Sequence, residues 1–405
     1  MLSGCGSGVP EYRTLTSPEE IPGREDMFAY PQIRHSICNM RMFFPTENVQ
    51  AAQVDRHHLY ESFKPKLAEV SFIPSVPVDG DVLVKTGTPG SITVREALQK
   101  TSTDGFIVMY RGRIVYEYYD GYLTPQGVHA LMSLSKSLTS TLAAVLIANN
   151  TIDQNALASR YVPELRNSAF GTATVREIMD MQTSLAFNEV YDDPESDIWQ
   201  YASSSSFRDY LVNIQQQEGV SHGDRFVYRT PNTDALAWII TRATGKSLGQ
   251  LMSELIWQPI GAHYDAYCQV DGKGTAFAGG GFSANLRDLA AFGEALRRNG
   301  YFNGGQAMPY GTTDILLRHA QKDKFDKQGY PNLKGWSYSG MWWVTGNSHR
   351  AYMARGVYGQ AIYIDPAAEM VIVRLASFPV ASNSANDLYS LPMYAALGEY
   401  MMRFR

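Results

Sequence analysis

Cysteine is scarce in this chain, with three residues, Cys5, Cys38 and Cys268, among 405. So small and odd a count gives no disulfide framework and no paired spacing for a metal. The eight histidines are scattered, and His57-His58 is the only adjacent pair. Adjacent side chains share no helix or strand face, so neither a metal site nor a cofactor is expected. No basic run is present and the net charge is −5, so nucleic-acid binding has no electrostatic footprint. No apolar stretch reaches the roughly eighteen residues that a membrane span needs. What remains is an ordinary globular composition, 44% hydrophobic and 19% charged. The length suggests two or three domain-sized units. Leu2-Ser3-Gly4-Cys5 matches a lipoprotein cleavage box, but the apolar segment that should precede it is absent. The expectation is a cytoplasmic protein, with a periplasmic lipoprotein as the alternative if the natural start lies upstream.

The richest stretch is Ala130-Leu-Met-Ser-Leu-Ser-Lys-Ser-Leu-Thr139. Leu138, Leu142, Val145 and Leu146 form an apolar stripe at helical spacing. Residues three apart on a helix share a face, so Ser133 and Lys136 are placed to meet on its first turn. A helix N-terminus favours developing negative charge, and an adjacent amine is one way to activate a weak serine nucleophile. The plainer reading makes Ser133 an N-cap and Lys136 a solvated residue. Against it, a lysine in the first turn opposes the helix dipole.

Along the chain, residues 1–50 are rich in Pro and Gly and are expected to wrap the surface, and 51–70 could hold a helix. Phe106–Tyr110, Arg111-Gly112 and Ile114–Tyr118 read as a hairpin, as do Ala361–Ile364, Asp365-Pro366 and Met370–Leu375. Thr174-Val-Arg-Glu177 has the capping-box pattern. Residues 183–225 are polar and irregular, a candidate mobile rim. Asn232 is expected to cap a helix ending at Gly245, and Gly279-Gly-Gly281 to mark close backbone packing before a helix from Asn285. A terminal helix is expected over Leu391–Met402. The fold class is α/β (α+β): an antiparallel sheet flanked by helices, built from residues 51–145 and 280–405, with a mostly helical region, 146–279, inserted.

Gly219-Val-Ser221-His-Gly223 fits the G-x-S-x-G nucleophile elbow. That elbow must follow a buried strand and open a helix, and neither flank does so. Ser133 is therefore preferred to Ser221.

Ser133-x-x-Lys136, Tyr228-Arg229-Thr230 about ninety residues on, and a late glycine-containing strand follow the order of a known family. With Asp180-Met-Gln182, Asn232–Trp238, Trp342–Asn347 and Gly359-Gln360, the chain resembles the class C β-lactamase-like serine hydrolases. These include DD-peptidases, carboxylesterases and the 6-aminohexanoate-dimer (nylon-oligomer) hydrolases, to which the likeness is greatest. It runs from about residue 26 to the end. The resemblance implies a β-lactamase/DD-peptidase-like fold and an acyl-enzyme on Ser133 that cleaves a small amide or ester. It gives Lys136 and Tyr228 the proton transfers, the Ser133 and Val357 backbone N–H groups the oxyanion, and Tyr191, Thr230, Trp343, Arg355 and Gly356 places around the substrate. Tyr191 and Trp343 also have plain readings, as a loop residue and a core aromatic.

Three positions depart from the pattern. Thr230 replaces an asparagine, and Ala354-Arg355-Gly356 replaces a Lys- or His-Thr-Gly, leaving Arg355 or Arg229 as substitute cations. The acid with which nylon-oligomer hydrolases grip the substrate amine falls near Ala202 in this chain. The alternative to turnover is a penicillin-binding, covalent sensor. A homodimer is compatible with the composition.

Overall fold

The computed structural model describes residues 23–52, 63–75, 90–191, 193–326 and 330–404. The Leu2–Cys5 box and His57-His58 lie outside these residues. Seven strands form the main sheet: β1 (Thr103–Tyr110), β2 (Arg113–Tyr119), β3 (Ser337–Ser339), β4 (Trp342–Val344), β5 (Tyr352–Gly356), β6 (Gln360–Asp365) and β7 (Met370–Ala376). Their spatial order is β3-β4-β5-β6-β7-β1-β2, with every neighbouring pair antiparallel. Both expected hairpins are present. In the first, Arg111 and Gly112 have φ of +50° and +80°, the backbone twist that suits a two-residue hairpin.

Four longer helices position the rest: α1 (Leu134–Ala148), α2 (Pro231–Thr244), α3 (Leu286–Arg297) and α4 (Ser384–Met401). Helix α3 packs on β1, β6 and β7, while α1 packs between β5 and α2. Leu134 and every residue from Ser135 to Leu146 of α1 are buried, as its small and apolar side chains allow. The expected capping box forms at Thr174, whose hydroxyl accepts from the Glu177 N–H while Glu177 returns a bond to the Thr174 N–H.

Three boundaries differ from expectation. Helix α2 starts at Pro231 rather than after Asn232, because proline presets the first helical φ and has no N–H to leave unpaired. Helix α4 starts at Ser384 and runs through Pro392. Proline cannot bond the carbonyl four residues back, and here the Ser75 N–H donates to that Leu388 carbonyl at 2.8 Å instead. Of the helix expected within 51–70, residues 53–62 lie outside the described residues; between Phe63 and Val70 there is only a short 3-10 turn, Leu67–Glu69, following Pro65, which is unsuited to a helix interior.

The segment from Gly23 to Gln50 does more than wrap. Ile33, Ile37 and Met40 form a buried cluster with Ala130, Met132 and Tyr267. The Ala130 N–H donates to the Ile37 carbonyl at 2.8 Å. This segment thus supports the strand that leads into Ser133. Among the described residues no helix is long and apolar enough to cross a membrane.

Candidate active site

Ser133 stands at the head of α1 with near-helical φ and ψ of −64° and −11°, and its hydroxyl makes no capping bond. Met132 before it has φ of +49°, a left-handed conformation that non-glycine residues adopt at a cost. Lys136, one turn on, is 1% exposed. Its Nζ lies 3.0 Å from Ser133 Oγ and donates to the Gly279 carbonyl at 2.6 Å. Lys136 is therefore not a solvated first-turn residue. Burial pulls its amine well below the ordinary lysine pKa, against the Glu189 and Asp234 carboxylates, which raise it.

The Lys136 Nζ also sits 5.0 Å from the centroid of the Tyr228 ring. Burial, and then the charge of Glu189, push the Tyr228 phenol well above its usual pKa. Tyr228 and Tyr191 border the same cavity as Ser133. Nucleophile, amine and phenol are thus gathered at one point.

Glu189 ties this centre together. Its carboxylate accepts from the Thr230 N–H and hydroxyl, both at 2.6 Å, and from the Tyr191 hydroxyl at 2.7 Å. Thr230 spends its donor on Glu189, which answers what it does in place of an asparagine. Behind Lys136, Asp234 accepts from the Gly279 N–H at 3.2 Å, so one glycine links the buried carboxylate to the amine. A Cβ on Gly279 would stand 2.6 Å from Thr230 Cγ2. The glycine run is close packing, as its sequence suggested.

Strand β5 brings Val357 to the same place. A Cβ on Gly356 would meet the Leu131 carbonyl oxygen at 2.4 Å, so only glycine lets the strand end approach the chain just before Ser133. Two cavities meet at Ser133, Tyr191 and Val357. One, about 420 Å³, is lined by Phe28, Met40, Phe44, Ile198 and Phe277, and Ala202 and Thr230 also border it. The other, about 460 Å³, is bordered by Tyr228, Arg229, Tyr330, Trp343 and Arg355. Trp343 borders this cavity and packs in a cluster with Phe226, Tyr228, Tyr330 and Tyr338. Arg355 is buried against Asp387, donating to its carboxylate at 2.7 and 2.5 Å.

Ser221 is exposed in a loop, with no strand before it or helix after it. The adjacent His222 Nδ1 accepts from the Ser184 N–H at 3.0 Å. The elbow geometry is absent.

Comparison with known proteins fits this arrangement. The beta-lactamase family model matches residues 92–390. The chain belongs to the beta-lactamase family. It is 32% identical over 318 residues to the 6-aminohexanoate-dimer hydrolase of Paenarthrobacter ureafaciens, covering 76% of this chain and 80% of that one. A solved structure from Bacillus anthracis, provisionally assigned as a 6-aminohexanoate-dimer hydrolase, superposes with a TM-score of 0.81 at 30% identity, covering 96% and 99% of the two chains. A family VIII carboxylesterase shares the fold, with a TM-score of 0.58 at 17% identity over 75% of this chain and 96% of its own. Within the beta-lactamase family, this chain is a serine hydrolase with the β-lactamase/DD-peptidase-like fold.

Sequence reasoning missed Glu189, Asp234 and the amino-terminal wall of the first cavity. Glu189 had a signal, since it stands two residues before Tyr191, the spacing that shares a face in extended chain. Asp234 was legible as the one acidic residue on a helix otherwise rich in apolar residues. Phe28, Met40 and Phe44 had none, because they fall in a segment without periodicity.

Proposed function

We propose that this chain hydrolyses small amides or esters through an acyl-enzyme on Ser133. The observation that carries the reading is a buried lysine amine 3.0 Å from a serine hydroxyl that has no capping role. Neutral Lys136 takes the proton as Ser133 Oγ attacks the substrate carbonyl. The Ser133 and Val357 N–H groups hold the oxyanion. Tyr228, kept protonated by its surroundings, gives its proton to the leaving amine or alcohol as the carbon–heteroatom bond breaks, and is reprotonated through Lys136. Water then cleaves the ester on Ser133, with the proton path reversed. Tyr191 and Thr230, both held by Glu189, shape the acyl side, and Trp343 walls the leaving-group side. The substrate is a small molecule, and no cofactor takes part in these steps.

The test is p-nitrophenyl butyrate turnover by wild type, Ser133→Ala and Ser221→Ala, with intact mass after fluorophosphonate labelling. Loss of turnover and adduct in Ser133→Ala alone is expected. Loss in Ser221→Ala alone would discard the assignment. A wild-type adduct on Ser133 without turnover would favour the covalent-sensor alternative.

A further inference from the structure

The cations around Ser133 differ in whether a carboxylate already claims them. Arg355 is claimed by Asp387. Arg229, on the wall of the same cavity, is not. Its Nη1 donates to the neighbouring Tyr228 carbonyl at 3.0 Å, and its buried Nε has no acceptor. No carboxylate stands within ion-pair distance of it among the described residues. Burial disfavours its charge and Glu189 is the first of the charges that support it, but the oxygens of Glu189 are taken up by Thr230 and Tyr191. A partly buried guanidinium with an unmet donor is costly to keep unless something supplies the acceptor.

Among the described residues, the first cavity has no free carboxylate to hold a cation. Its carboxylate, Asp271, is spent on the N–H groups of Phe207, Lys273 and Thr275, at 2.8, 2.9 and 2.8 Å. The other walls are largely apolar, Ala202 brings no charge, and the one arginine there, Arg24, sits over the Phe44 ring, 4.6 Å from its centroid. Nothing there grips an ammonium group. Of the two cavities, Tyr228 borders only the one that holds Arg229. If Tyr228 protonates the leaving group, the leaving group lies beside Arg229.

We infer that Arg229 selects substrates whose leaving group carries a carboxylate. The chemical class is N-acyl amino acids and acyl esters of hydroxy acids. This rests on the Ser133, Lys136 and Tyr228 assignment above. Arginine suits the task because its fork can hold a carboxylate through two hydrogen bonds.

The test compares the hexanoyl esters of 4-hydroxyphenylacetate and 4-hydroxyphenylacetamide. They differ in one remote charge, and the methylene isolates the phenol from it. Wild type is expected to favour the carboxylate ester by about tenfold in kcat/KM, mainly through KM. Arg229→Gln should bring that ratio close to one, and Arg229→Lys should restore part of it. Taking the ratio within one variant removes any loss of folded or active enzyme from the comparison. Equal use of both esters by wild type, or a ratio unchanged in Arg229→Gln, would overturn this inference alone. Failure of wild type to cleave either ester, without acylation of Ser133, would overturn the hydrolase assignment and this inference with it.

Discussion

Lys136 is subject to two opposed influences. Burial disfavours its ammonium form, while the carboxylates of Glu189 and Asp234 favour it. In the proposed mechanism the neutral amine accepts the serine proton, so kcat/KM should rise with pH as Lys136 loses its proton. Because burial wins, that rise should be complete below the value of about 10.4 for free lysine. Tyr228 adds no limb in the same range, since its pKa is raised well above 10. Asp234→Asn keeps an acceptor for the Gly279 N–H but removes the negative charge. The ammonium form of Lys136 then loses support, and the limb should move to lower pH. A pH profile with p-nitrophenyl butyrate reads this directly. An unmoved limb would leave Asp234 as a purely structural clamp. Lys136→Met should lower turnover by about 10²–10⁴-fold, the usual worth of general acid–base catalysis.

At the scale of elements, the site depends on the carboxyl end of β5 meeting the amino end of α1. Gly356 permits that approach, since a side chain there would strike the Leu131 carbonyl, which is backbone and cannot swing aside. Gly356→Ala should displace the Val357 N–H and lower kcat by about 10²–10³-fold, the cost of losing one oxyanion donor. Circular dichroism would check that the sheet survives. Wild-type kcat in this variant would remove Val357 from the oxyanion site. Such a junction is only half legible in the sequence. The α1 stripe and the two hairpins follow from local periodicity, so Ser133, Lys136 and the strands were readable. Tyr228, Val357 and Gly356 were found by resemblance, because the contacts that bring them to Ser133 leave no local pattern. Pro392 shows the same limit: it reads as a helix boundary until the Ser75 N–H takes the carbonyl it leaves free.

Across the whole molecule, the candidate active site is enclosed by parts distant in sequence. Phe28 and Met40 wall one cavity, while Ser384 and Asp387, at the start of α4, border the other. Holding α4 against the sheet therefore matters to the site. At the far end of α4, His349 Nδ1 lies 2.7 Å from Asp365 of β6, and its Nε2 lies 3.1 Å from Glu399 of α4. An imidazolium can donate to both carboxylates at once, whereas a neutral ring can donate to only one. Burial lowers the pKa of His349, but the hydrogen bond and charge of Asp365, with Glu399, outweigh it and leave the value raised. A folded-state pKa above the unfolded value of about 6.5 makes this bridge fully stabilising below that pH. The contribution is lost as pH rises through the folded-state value. His349→Gln should therefore lower the Tm most near pH 5.5, and the gap to wild type should narrow as pH rises past 7. Thermal melts of both proteins across that range check the sign. A gap independent of pH would mean that the ring contributes only packing, and that the grip of α4 on the sheet does not depend on its charge.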